Sequence, residues 1–139
     1  MLRFLCIGMF AGLCLLNGAG ASERMAQLCA QHVEQTVQRA TLAATEETRE
    51  CVRRIVALKE QGQHDEALRL ARECMQRATN RTEKAVEYVT QICNRCIAAL
   101  LAHDEPELAR RIDRLCSEAI ATLRSLLQRQ RNAIHDALH

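Results

Sequence analysis

Two cysteine pairs share one spacing and recur at one period. Cys51 and Cys74 enclose 22 residues, Cys93 and Cys116 enclose the same 22, and the second pair follows the first by 42 positions. The midpoint of the first pair falls between Gly62 and Gln63. That of the second falls between Asp104 and Glu105, beside Pro106, the only Pro of the chain. Gly and Pro are the strongest local interrupters of regular structure, so each pair flanks a predicted turn. If the flanking segments are helices, equal distance from the turn places the two thiols of a pair at one level on antiparallel neighbours, where a disulfide can close.

The N-terminal segment says why disulfides are expected. Arg3 supplies a positive start, Phe4 to Leu16 form an apolar stretch too short to span a bilayer as a helix, and Ala19-Gly20-Ala21 offers small residues before a cut ahead of Ser22. Residues 1–21 are therefore expected to be a signal peptide, with an uncleaved anchor as the alternative. Neither Cys6 nor Cys14 follows the small residue that lipidation requires, since each follows a Leu. The expected location is secreted or periplasmic, with no integral membrane segment once the leader is removed. Cys29, Cys51, Cys74, Cys93, Cys96 and Cys116 then remain, an even set in an exported chain, which is the pattern of a disulfide framework.

Composition points to helix throughout. After position 20 the chain has one Gly, Gly62, and one Pro, with abundant Ala, Leu, Arg, Glu and Gln. Apolar periodicity predicts an all-α domain of about five helices over residues 22–139. The first runs from Glu23 to about Ala43. The second is capped by Thr45 and runs to Gln61, and the third begins at Gln63 or Asp65 and carries Ala67, Leu70, Ala71, Cys74 and Ala78 inward. The fourth starts in a capping box of Asn80 and Glu83, with Thr82 competing for the cap, and bears Val86, Val89, Cys93, Cys96 and Leu100. The fifth opens at Asp104 and Pro106 and continues to about Ala137, past the fourth, with Leu108, Ile112, Leu115, Ala119, Leu123, Leu126 and Leu127 on its inner face. A single helix running on through Thr45 is the alternative at the first boundary.

Shifting the chain by 42 positions tests for duplication. Thr48, Cys51, Arg53, Ile55, Ala57, Leu58, Ala67, Arg69, Arg72 and Cys74 each meet their own residue type, ten matches between Thr48 and Ala78. Two tandem antiparallel helical hairpins, about 46–79 and 82–127, are expected after the N-terminal helix. The run Gly62-Gln63-His64-Asp65-Glu66-Ala67-Leu68-Arg69-Leu70-Ala71-Arg72-Glu73-Cys74 resembles the turn and second helix of a tetratricopeptide repeat. In that family a Gly ends the first helix, an Ala packs tightly against it, and a small residue follows later, here Cys74. The chain departs from the family in lacking its first-helix aromatic and Leu-Gly pair, and in a period of 42 against about 34. The resemblance implies helix-turn-helix stacking and binding of a peptide or protein.

With both symmetric pairs bridged, Cys29 and Cys96 are left for each other. Cys93-Asn94-Arg95-Cys96 admits other chemistry by spacing alone. A redox CxxC wants a helix N-terminus after a strand, and haem attachment wants His where Ile97 stands, so both fail on context. Zinc is the surviving alternative, held by Cys29, His32, Cys93 and Cys96 as three sulfurs and one nitrogen, at the cost of stranding Cys116. No cofactor is otherwise expected.

The chain carries 19 Lys and Arg against 17 Asp and Glu, and Arg3 lies in the leader, so the remainder is near neutral. A nucleic-acid binder is usually far more basic. Tyr88 is the only aromatic residue after position 10, which removes the stacking platforms for bases or sugars. His64 and His103 fall at turns, and no His or Ser pairs a nucleophile with a base, so the expected role is non-catalytic binding of a protein or peptide. Leu123, Leu126 and Leu127, if exposed, would support a homo-oligomer through the last helix. Asn80-Arg81-Thr82 also matches the N-glycosylation acceptor pattern.

Overall fold

A computed structural model describes residues 18–139. Among them are three helices, α1 over Gly18–Glu60, α2 over His64–Ala102 and α3 over Pro106–Leu138, and no strand. The leader expected at 1–21 lies outside the described residues except for 18–21, which form the first turn of α1.

Three helices stand where five were expected, because the breaks at 43–45 and 79–82 do not occur. Thr45 does not cap. Its hydroxyl donates back to the Thr41 carbonyl at 2.8 Å, and Thr41 does the same to Val37 at 2.8 Å, so these side chains bond inside a continuing helix. Asn80 accepts from Gln76 Nε2 at 3.1 Å, one turn earlier on α2, and Thr82 is buried. Neither position has a Gly or Pro to force an end. The glycosylation pattern at Asn80 consequently lies in mid-helix, with its Thr82 buried.

The two turns that do form share a set of backbone bonds. At the first, Gly62 N–H donates to the Lys59 carbonyl and Gln63 N–H to that of Leu58, both at 2.9 Å; at the second, Asp104 N–H donates to Leu101 at 3.0 Å and Glu105 N–H to Leu100 at 2.9 Å. This is the pattern in which a left-handed residue just past the helix satisfies its last carbonyls. Gly62 and Asp104 accordingly have φ of 79° and 59°.

The described chain divides into two compact units. One is built from α1 up to Thr36, Glu87–Ile120 of α2 and α3, and the turn between them. Its core is Ala26, Cys29 and Val33 from α1, Val89, Cys93, Cys96 and Leu100 from α2, and Leu108, Ala109, Ile112, Cys116 and Ala119 from α3. These positions recur at spacings dominated by alternating threes and fours, the stripe by which long helices keep one seam facing a partner. Cys29 is bridged to Cys96 and Cys93 to Cys116, with Cα atoms 6.4 and 6.3 Å apart.

The other unit comprises Val37–Val86 and Ala121–His139. Its core gathers Cys51, Ile55, Ala67, Leu70, Ala71, Cys74 and Ile134, with Leu58, Met75, Ala137 and Leu138 packed against it. Cys51 and Cys74 are bridged with Cα atoms 6.5 Å apart. Packed helices normally lie about 8–10 Å apart, so this approach needs small side chains, and Ala67, Ala71 and Ala78 supply them on α2. The end of α3, expected to run past its partners, is covered here: Leu123 and Leu126 are buried, Leu127 is half-buried, and Ile134 reaches the core because α1 and α2 are continuous. Leu123 and Leu126, whose exposure would have favoured self-association, are thus packed within the unit. Buried Gln130 donates to Thr48 Oγ1 at 2.9 Å and to the Ala44 carbonyl at 3.4 Å. Lys59 Nζ donates to the Ala137 carbonyl at 3.0 Å, and Arg81 pairs with Glu47 at 3.1 Å.

Candidate binding groove

The core stripes of α1 and α2 in the first unit leave a second, shallower stripe beside them. On α1 it consists of Leu28, Gln31, His32 and Gln35; on α2 it consists of Tyr88, Gln91, Ile92 and Arg95. Each set spans two turns at spacings of three and four, which puts its members on one face of its helix, about 10 Å long. Between the two faces runs a groove of about 610 Å³, with Cys29 and Cys96 also among its lining residues. The bridge fixes the separation of the two helices here, so the groove is held open by a covalent tie.

Its chemistry is mixed in a particular way. Leu28 and Ile92 are half-buried, and Tyr88 is exposed to 48 %, one of the most exposed large apolar side chains among the described residues. Arg95 and His32 are exposed, three Gln side chains offer amides, and no carboxylate lines the groove. An apolar side chain can bury itself between Leu28 and Ile92 while an acid meets Arg95.

The three cysteines of the alternative zinc cluster are taken up in bridges. Cys29 and Cys96 are joined to each other, Cys93 is joined to Cys116 in the core, and no free cysteine occurs among the described residues. Cysteine binds a metal as the thiolate, and these three sulfurs are held in disulfides. His32 sits beside the Cys29–Cys96 bridge as a groove residue. No family model, curated protein or solved structure matches the chain.

Among the described residues the Glu107 carboxyl, in the first turn of α3, is held below the usual carboxylate range by the hydrogen bond and then the charge of Arg110. This is an exposed pair outside the groove lining.

The groove was only partly legible in the sequence. Cys29, His32, Cys96 and the solitary Tyr88 stand out by type, but Leu28, Ile92 and Arg95 do not. The signal that could have found them is apolar positions at 28, 88 and 92, displaced by one residue from core positions 29, 89 and 93. On a helix that displacement points a side chain to the margin of the packed seam.

Proposed function

We propose that the chain is an exported, disulfide-stapled helical repeat protein that acts as a non-catalytic module binding a protein or peptide segment. The observation that carries this is the lining of the groove: apolar Leu28, Ile92 and Tyr88, one Arg, one His and no acid, on two helices tied by a bridge. The segment it suits has two or three apolar side chains on one face and a carboxylate, the helix-in-groove mode of recognition. Export agrees with three disulfides, which form and persist in oxidising compartments. A duplicated hairpin, similar to the tetratricopeptide arrangement, is supported by the equivalent hydrogen bonds of the two turns and by cysteines placed alike about each.

Tyr88 provides the test, being the one Phe, Tyr or Trp among the described residues and therefore the intrinsic fluorophore of the groove. Selection of a random 12-residue peptide library on the full chain, about the length of three helical turns, should enrich sequences with spaced apolar residues and an acid. Their binding should change Tyr88 emission and weaken at least about tenfold, or 1.4 kcal/mol, in Ile92→Glu and in Arg95→Glu. Peptides that bind all three proteins alike would place recognition elsewhere.

A further inference from the structure

The disulfides dispose of every cysteine among the described residues, which leaves the histidines as the nitrogen ligands of the chain. Four positions separate His135, in the last turn of α3, from His139, the residue just after that helix, and no other two histidines are so spaced. Residues four apart share a helix face, and two histidines in that relation can grip one metal ion.

The geometry meets that requirement. The two imidazoles are in contact, with centroids 4.5 Å apart and planes inclined by 49°. Nitrogens that each lie about 2.0–2.1 Å from one ion are roughly 3 Å from each other, a separation these rings can reach by side-chain rotation alone. The backbone is set as well, since His139 N–H donates to the His135 carbonyl at 3.3 Å and keeps the last turn closed. Both side chains are exposed, so an ion can arrive with water completing its shell.

Neighbouring charge is compatible. Asp136 Oδ1 lies 3.8 Å from His135 Nδ1 and adds a negative charge. Arg131, one turn earlier, is directed to Thr79 Oγ1 at 3.0 Å, and Lys59 is engaged with the Ala137 carbonyl. Among the described residues no group of three or more His, Cys, Asp or Glu is arranged to hold a metal, so the protein offers two strong ligands rather than a closed cage. Two imidazoles with water suit copper(II) best among the divalent first-row ions, with nickel(II) and zinc(II) behind it.

We propose that His135 and His139 form a two-nitrogen chelate for a divalent transition cation, copper(II) foremost.

The test is a titration of the full chain, disulfides intact, with Cu2+ in a non-chelating buffer slightly above neutral pH, followed by calorimetry and electron paramagnetic resonance. The expected result is one tight ion per chain with nitrogen coordination in its spectrum. His135→Gln and His139→Gln should each weaken that binding at least about tenfold, since even outer partners of metal ligands are worth roughly 10–100-fold in affinity. His64→Gln and His103→Gln should leave it unchanged. Helicity by circular dichroism verifies that each variant is folded. Equal binding by wild type and His139→Gln, or loss of binding in His64→Gln instead, would overturn the assignment.

Discussion

Gly62 and Asp104 adopt the same left-handed backbone at the ends of α1 and α2, yet only one is the residue type that does so freely. A Cβ built on Gly62 meets nothing within 4 Å, so the cost of a side chain there is backbone strain without collision. Gly62→Ala should lower stability by roughly 1 kcal/mol, and Gly62→Asn by less, because Asn tolerates this conformation. Chemical denaturation of the two variants checks the order; equal stabilities for Gly, Asn and Ala would mean that the positive φ does not matter to folding. Exposed ion pairs do less. Arg49–Glu46, Arg53–Glu50, Arg69–Glu66 and Arg110–Glu107 all join residues three apart on one helix, and solvent screening leaves each of these exposed pairs with little effect on stability.

Between elements, the close pairing of α1 and α2 in the second unit depends on what is absent from Ala71. This residue is 1 % exposed in a core that also contains the Cys51–Cys74 bridge, so added carbons have no free volume to enter. Ala71→Leu should cost about 1–3 kcal/mol, or prevent the bridge from closing. Thermal melting with quantitation of free thiols distinguishes the two, and a fully bridged variant of unchanged Tm would show the packing to be looser than described. How the sequence announced its elements follows the same physics. Gly62 adopts the left-handed backbone without strain and Pro106 removes an N–H that a continuing helix would need, and the turns they mark occur. Thr45 and Asn80 are only side-chain preferences for a helix start, and each finds an alternative hydrogen bond inside a continuous helix. Helix type was therefore legible along the whole described chain, whereas helix number was not. Groove residues such as Ile92 were hidden because their spacing differs from that of the core by one position.

Across the molecule, the bridges are unevenly distributed. The unit containing Val37–Val86 has one, and the unit containing Glu87–Ile120 has two. Replacing Cys51 and Cys74 together by Ala removes the only cross-link of the former and should cost about 3 kcal/mol through loop entropy. Hydrogen exchange should then accelerate within residues 37–86 and 121–138 more than within 87–120. Uniform acceleration would show that the two units open as one. Replacing Cys93 and Cys116 instead leaves Cys29–Cys96 in place and should be milder in its own unit.

The order of the bridges along the chain has a further effect. Cys29–Cys96 encloses Cys51–Cys74 and overlaps Cys93–Cys116, so every peptide bond between Cys29 and Cys116 lies inside at least one covalent loop. Both exposed turns fall in that interval. A protease that cuts once after Gln61 or His103 nicks the chain without releasing a fragment, and in an environment rich in proteases and poor in reductant a nicked molecule remains one molecule.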